Sequence, residues 1–238
     1  MDTTPFVEHG VAVIEDVVPS QQIAHLRDLE EFALCARPGK RSFTVPEAVT
    51  AQIAAEGALT KLAERLTGQR MRPVRVLYFD KNPNANWAVP WHQDRTIAVA
   101  RRVDVSGYDT WSIKAGIDHV EPPESILQGM ISLRLQIDDC GRENGPLLAL
   151  RGSFRLGRVS TSEIKRHVTG HATEVCCAKA GDVVAMRGLT IHASERALRP
   201  SHRRVVHVDL SSAELPCGLE WALAQPDAGH VKELRGAK

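Results

Sequence analysis

The sequence lacks an excess of charge of either sign. Its 30 Lys and Arg residues are offset by 29 Asp and Glu residues, which leaves a formal net charge of +1 at pH 7. A chain so close to neutral has no general electrostatic attraction to nucleic acid or to an anionic membrane. We therefore expect a small-molecule partner, and the sequence does not indicate an oligomeric state.

The cysteine pattern of a disulfide framework or a thiolate zinc site is also absent. The five cysteines form an odd set, and no two of them have the CxxC spacing. The first residues show neither the basic nor the apolar segment of a signal peptide. No apolar run approaches the length of a membrane span. These absences predict a reduced, cytoplasmic protein.

Aromatic residues are scarce, at 5%, but the chain is 43% hydrophobic and 25% charged, which is typical of a globular protein. Its 238 residues can form one all-β or mainly β domain. No internal repeat or linker interrupts the sequence. We expect a single domain over 1–238.

Helical patterns are confined to the first third of the chain. After a β-branched run over 9–18, Ser20 is a plausible N-cap for a helix, and a second helical pattern ends at Gly68. The apolar positions that define the two helices are Ile23, Leu26, Leu29 and Leu34, and then Leu59, Leu62 and Leu66.

Short strand patterns separated by turns dominate the remainder. They begin at 73–80 and 130–138 and continue through to the last β-run at 203–210. We interpret 101–127, which contains Gly107 and Gly116, as irregular and as a possible lid over a site. The pattern predicts a mainly β (α+β) fold: a double-stranded β-helix, or cupin-like jelly roll, with N-terminal helices packed on one sheet.

Two imidazoles and one carboxylate are spaced as in a mononuclear iron(II) site. His92 and Asp94 form a His-x-Asp pair after a loop rich in Asn and Pro, and His192 lies on a later strand. His-x-Asp alone is a weak signal, since His207 and Asp209 repeat it within the last strand. There the β-branched neighbours favour an ordinary structural role.

A basic residue downstream of the second histidine strengthens the metal hypothesis. A 2-oxo acid that chelates iron has a second carboxylate, and the guanidinium of Arg203 suits it. Ser194 lies on the same strand face as His192, and Lys81 ends a strand near His92. If the apolar face of the last strand packs on the helices, Arg203 points into the barrel; otherwise Arg204 is the anchor.

Four segments of the sequence form a recognisable set: GVAVIEDVVPSQQI near the start, WHQD at 91–94, LRLQIDDCGRENGPLLALRGSFRLGR at 133–158, and HAS at 192–194 with the downstream Arg203. Together they resemble the phytanoyl-CoA dioxygenase family of iron(II)/2-oxoglutarate oxygenases. The resemblance implies Fe(II) at His92, Asp94 and His192, with 2-oxoglutarate on Arg203 and Ser194. It also implies a reaction that consumes O₂ and releases succinate, with hydroxylation as the default outcome, because halogenating relatives lack the carboxylate ligand.

The sequence departs from the family pattern at two places outside the metal set. Phe154 stands where relatives often have the histidine of Pro-Gly-Ser-His, and Arg134 stands where many have an aromatic residue. These departures leave the substrate open, and a CoA thioester is not supported because no basic groove is evident. A small polar or anionic metabolite is the better expectation. Candidate substrate contacts are Arg134, Trp91, Gln93, Trp111 and Lys114.

Three functions remain compatible with the sequence. The first is the iron(II)/2-oxoglutarate dioxygenase. The second is a cupin-type lyase, isomerase or hydrolase that uses a metal without 2-oxoglutarate and would not need Arg203 or Ser194. The third is a non-catalytic ligand-binding barrel.

Overall fold

The computed structural model describes residues 2–33, 40–41 and 45–223. Over these residues the α-helices are α1 Thr4–His9, α2 Ser20–Arg27, α3 Glu30–Ala33, α4 Glu47–Ile53, α5 Ala58–Thr67, α6 Glu124–Gln128 and α7 Thr161–Gly170. The strands are β1 Val11–Ile14, β2 Lys40–Arg41, β3 Arg72–Lys81, β4 Val89–His92, β5 Ile97–Val99, β6 Asp109–Lys114, β7 Ile117–Glu121, β8 Met130–Gln136, β9 Leu147–Leu150, β10 Thr173–Cys176, β11 Val183–Arg187, β12 His192–Ser194 and β13 Arg203–Ser211.

Two antiparallel sheets face each other, as predicted for a jelly roll. The larger sheet has the order β1-β11-β8-β13-β3-β2, and the smaller one has the order β10-β9-β12-β4. Strands that are distant in sequence are neighbours in both sheets, because the chain crosses from one sheet to the other as it proceeds. This topology confirms the predicted double-stranded β-helix, although the two sheets do not close into a continuous barrel.

Strand β13 shows how the larger sheet separates the core from the site. Val206, Val208 and Leu210 belong to a buried cluster with Ile23 of α2 and Leu62 of α5. The alternate residues of β13 face the smaller sheet, because successive side chains of a strand point to opposite sides. The N-terminal helices therefore cover the apolar face and leave the other face free to line a cavity.

The helix boundaries differ slightly from the sequence prediction. Pro19, with its extended backbone, precedes α2, and Ser20 is the first helical residue without capping by its side chain. Helix α5 ends at Thr67, and the next residue, Gly68, has φ of 69°, which suits the left-handed conformation that follows a helix end. Leu34, the last apolar position of the first predicted helix, lies outside the described residues. In the described ranges no helix is long and apolar enough to cross a bilayer.

The prediction that 101–127 is irregular was wrong. Strands β6 and β7 form a hairpin within a third sheet of order β5-β7-β6, and α6 follows it. The hairpin turns at Ala115 and Gly116, which both have positive φ, at 53° and 79°. The glycine that looked like an interruption of structure in the sequence is thus the residue that allows two strands to pair.

Candidate metal centre

Strands β4 and β12 bring the two predicted histidine ligands together. β4 ends at His92 and β12 begins at His192, and the antiparallel pairing places these two residues directly opposite each other. Their ring centroids are 4.2 Å apart. Residues 100 positions apart in the sequence thus present their imidazoles at one point of the smaller sheet.

Asp94 completes the cluster from the segment that follows β4. One carboxylate oxygen lies 3.8 Å from Nε2 of His92, and the other lies 3.7 Å from Nε2 of His192. The three side chains offer ligand atoms that all lie within 4.8 Å of one another. Two imidazoles and a carboxylate on one side of a common point match the donor set of a non-haem iron(II) site.

Backbone carbonyls fix the tautomer of both imidazoles. Nδ1 of His92 is 2.8 Å from the carbonyl oxygen of Pro90, and Nδ1 of His192 is 2.9 Å from that of Thr190. Since a carbonyl oxygen only accepts, each Nδ1 carries the proton and donates it. Each Nε2 is therefore unprotonated, and its lone pair can bind a metal ion.

The charges at the cluster are those that ligation requires. Burial alone would raise the pKa of Asp94, but His192 and Arg75 outweigh it and hold the pKa well below its usual range. Burial lowers the pKa of His192 to about 3, although Asp94 opposes the shift. Near neutral pH the cluster thus contains an ionised carboxylate and a neutral imidazole, so neither must lose a proton to bind a metal.

A cavity of about 270 Å³ lies between the two sheets and includes the cluster. The larger sheet contributes Arg75, Leu77, Phe79, Arg134, Gln136, Val184, Arg203, Val205 and His207. The smaller sheet contributes Val89, Leu147, Cys176, Ala193 and Ser194, and Trp87 and Cys140 lie on the adjoining loops. The wall is apolar in the middle and carries charged groups at separate positions.

Three of the predicted site residues lie close together, away from the metal cluster: Lys81, Ser194 and Arg203. Lys81 is fully buried, and its Nζ donates to Ser194 Oγ at 3.1 Å and to the Glu195 carbonyl at 2.6 Å. Arg203, directly opposite Lys81 in the sheet, donates to the carbonyl of Gly145. Burial, and then the charge of Arg203, lower the pKa of Lys81 to about 7.

The orientation of β13 distinguishes between the two candidate arginines. Arg203 lines the cavity, whereas Arg204 points to the other face and forms an ion pair with Asp138, with Nε to Oδ2 at 2.8 Å. Arg204 also donates to the carbonyl of Arg27. Of the two, only Arg203 is in a position to meet a ligand between the sheets.

A polar network extends along the larger sheet, and of its members sequence reasoning identified only Arg134 as a candidate site residue. Nε of Arg75 donates to Asp209 Oδ2 at 2.5 Å, and Nε2 of His207 is 2.8 Å from Asp209 Oδ1. Arg134 joins the network through Ser132, whose Oγ accepts from its NH1 at 3.0 Å. The alternation of β3 was the available signal, because Arg75 shares a strand face with Lys81.

A sequence model of the phytanoyl-CoA dioxygenase (PhyH) family matches residues 6–205. The chain belongs to this family. No functionally curated protein matches it.

Three solved structures illustrate the similarity in fold. AviO1 from Streptomyces viridochromogenes Tue57 is 19% identical, with a TM-score of 0.64 over 90% of this chain and 95% of its own. SnoK, a non-heme alpha ketoglutarate dependent carbocyclase from nogalamycin biosynthesis, is 16% identical, with a TM-score of 0.66 over 89% and 83%. EctD from S. alaskensis with 2-oxoglutarate and 5-hydroxyectoine is 16% identical, with a TM-score of 0.63 over 88% and 74%. At these identities the likeness establishes the shared fold.

Four of the predicted substrate contacts lie elsewhere, and we correct them here. Gln93 is buried and donates to the carbonyls of Gly157 and Leu189, and Trp91 packs on a separate apolar cluster. Trp111 belongs to the third sheet and stacks with Arg102, and Lys114 donates to Thr96. These four residues are close to the metal motif in the sequence. Strand alternation and the position of the hairpin in a separate sheet direct their side chains away from the cavity. Arg134 does line it.

Proposed function

We propose that this protein is an iron(II)- and 2-oxoglutarate-dependent dioxygenase that oxidises a small polar or anionic metabolite. The observation that carries the proposal is the arrangement of one cavity. Its wall includes the His92, Asp94 and His192 cluster, and the cations Arg203 and Lys81 lie beyond that cluster. A metal ion and a dicarboxylic 2-oxo acid need such a pair of sites. Family membership supports the same conclusion.

The residues fit the groups that this function needs. The two Nε2 lone pairs and the Asp94 carboxylate suit Fe(II). The buried Nε of Arg203 has no hydrogen-bond partner among the described residues, which is the condition of a guanidinium that is built to meet a carboxylate. The fully buried Lys81 and the half-buried Arg203 lie side by side, and neither has a carboxylate ion-pair partner among the described residues. Their charges repel each other, and an anionic ligand relieves that repulsion.

The chain's own residues would bind, orient and shield the reactants. His92, Asp94 and His192 would hold the metal on one side, while Arg203, Lys81 and Ser194 would fix the distal carboxylate of the 2-oxo acid. When bound, iron and the 2-oxo acid supply the activation of O₂, with release of succinate and CO₂. The apolar wall between the two ends, which includes Phe79 and Val205, would exclude water from the reacting atoms.

We propose hydroxylation as the outcome and a polar or anionic metabolite as the substrate class. The retained carboxylate ligand supports hydroxylation, whereas SnoK, described as a carbocyclase, is a reminder that proteins of this fold give other products. The size of the cavity and the polar group of Gln136 in its wall support a small substrate with polar groups.

Release of succinate tests the proposal directly. The purified protein with Fe(II), ascorbate, O₂ and 2-oxoglutarate should form succinate, at a basal rate without a substrate and faster with an active member of a metabolite library. A chelator or His192→Ala should abolish the signal. A metal-loaded protein that is active in another assay and indifferent to both 2-oxoglutarate and Arg203→Gln would refute the proposal in favour of a metal enzyme of another class.

A further inference from the structure

Arg134 is a cation in the cavity wall without a carboxylate partner in the described part of the chain. Its NH1 donates to Ser132 Oγ at 3.0 Å and contacts Met186 Sδ at 3.8 Å. Its NH2 lies 3.4 Å from Nε2 of His192. The guanidinium is therefore adjacent to an atom that would bind a metal ion, and the acceptor that faces its NH2 is a candidate metal ligand.

One lone pair cannot serve both groups. Nδ1 of His192 carries the ring proton, so Nε2 has a single lone pair, which either accepts from Arg134 or binds a metal. When a metal binds, the NH2 group of Arg134 loses this acceptor. A half-buried guanidinium then faces a divalent cation at short range, which is unfavourable unless an anion lies between them.

The described residues do not supply that anion. Asp209 is already paired with Arg75 and His207, and Asp94 belongs to the metal cluster. In the larger sheet Arg203 pairs with Lys81, and Arg134 pairs with His207; the position of Val205 lies between these two pairs. Lys81 and Arg203 are therefore further along the cavity, where they suit the distal carboxylate of a 2-oxo acid. The carboxylate that remains is the one next to the keto group, which chelates the metal beside His192.

We propose that Arg134 binds the metal-chelating carboxylate of the 2-oxo acid, so that each end of the cosubstrate has its own arginine. This inference rests on the proposed function and adds a residue to it. The guanidinium replaces its contact with His192 by a charge-assisted hydrogen bond to the bound carboxylate. Arg134 thereby orients the chelating end, while Arg203 selects for the second carboxylate.

Two 2-oxo acids distinguish the role of Arg134 from that of Arg203. 2-Oxoglutarate has both carboxylates, whereas pyruvate keeps the chelating end and lacks the distal one. Binding is followed without turnover, by anaerobic titration of the Fe(II)-loaded protein and the visible charge-transfer absorption of the iron chelate. Arg134→Gln should raise the Kd for both acids by a similar factor of about 10 to 100, as expected for a lost hydrogen bond between charged groups. Arg203→Gln should raise the Kd for 2-oxoglutarate and leave that for pyruvate unchanged.

Further measurements exclude a merely structural effect. The charge-transfer band of the Arg134→Gln chelate should shift in energy, because the chelating carboxylate loses a hydrogen-bond donor. Arg134→Lys should restore part of the affinity, and it replaces the glutamine variant if that one does not fold. The exposed Arg102→Gln is the matched control and should change neither Kd.

Each result is decisive. If the wild-type protein forms the chelate and Arg134→Gln binds 2-oxoglutarate with unchanged Kd, the inference fails and the proposed function stands. A loss confined to 2-oxoglutarate, with pyruvate unaffected, would also overturn it, since Arg134 would then act on the distal end. If the wild-type Fe(II) protein binds neither acid, the proposed function itself fails.

Discussion

Gln93 lies between two candidate metal ligands in sequence, but its side chain has an architectural role. Its Nε2 donates to the carbonyl oxygens of Gly157 and Leu189 at 2.8 and 2.6 Å, and its Oε1 accepts from the N–H of Val159 at 2.9 Å. These bonds attach the segment between His92 and Asp94 to two other loops. The position of the ligands therefore depends on an amide that does not contact the cavity.

Gln93→Glu tests this role with almost no change of shape. A carboxylate oxygen would replace the amide donor and face two carbonyl oxygens in a buried position. We expect a loss of at least about 2 kcal/mol in the free energy of unfolding and a metal affinity lower by about 10-fold or more. Chemical denaturation and metal titration measure both. Gln21→Glu, on the exposed face of α2, should change neither, and equal effects at both positions would contradict the assignment.

Lys81 predicts a pH dependence of 2-oxoglutarate binding. Its pKa is lowered to about 7 by burial and by Arg203, so it loses its proton as the pH rises above 7. A carboxylate binds the protonated form, so binding above pH 7 must be accompanied by proton uptake. Between pH 7 and 9 the Kd should rise by up to about 10-fold per pH unit.

The comparison with Lys81→Met isolates this effect. The methionine variant should bind more weakly at pH 7 and show little change from pH 7 to 9. His192 does not titrate in this range, because its pKa is about 3. A wild-type affinity that stays constant from pH 7 to 9, or an identical slope in the methionine variant, would remove Lys81 from the cosubstrate site.

At the scale of elements, the turn at Gly145 positions the basic end of the cavity. Its carbonyl accepts from Arg203, and its backbone is left-handed, with φ of 61°. A Cβ at this position would lie 2.6 Å from the carbonyl oxygen of Glu195, which in turn accepts from Lys81. The close approach of two backbone segments therefore requires glycine here.

Gly145→Ala should disturb both stability and cosubstrate binding. We expect a loss of about 1–3 kcal/mol in the free energy of unfolding, because of the left-handed backbone and the contact with Glu195. The Kd for 2-oxoglutarate should rise, since Lys81 and Arg203 lose their positions. Gly141→Ala is the control: Gly141 has φ of −85°, and a Cβ there meets nothing within 4 Å. An unaltered Kd in Gly145→Ala would show that the turn does not position the site.

At the scale of the whole molecule, stabilisation of the fold by 2-oxoglutarate should depend on bound Fe(II). Fe(II) should raise the melting temperature by binding across β4 and β12, and 2-oxoglutarate should raise it further only when metal is present. A ligand at 100 times its Kd contributes about 2.7 kcal/mol. Thermal unfolding under anaerobic conditions, with and without a chelator, measures this. The arrangement would be contradicted if 2-oxoglutarate stabilised the metal-free protein, or His92→Ala, as much as it stabilises the Fe(II)-loaded wild-type protein.

Much of this protein followed from its sequence because the signals were local. Alternation along 203–210 predicted which face of β13 is apolar, and the spacing at 91–94 identified a candidate ligand pair. The fold class and the family are confirmed. That residues 1–238 form one domain stays a prediction.

Tertiary structure alone decided which distant groups meet. The antiparallel pairing of β4 with β12 sets His92 opposite His192, and the helices on the other face of the larger sheet turn Arg203 rather than Arg204 towards the cavity. It also placed Arg134 beside His192 and moved Trp111 and Lys114 to a separate sheet. Sequence patterns report the faces of single elements, whereas the neighbours of a face depend on how strands from the whole chain are ordered in the sheets.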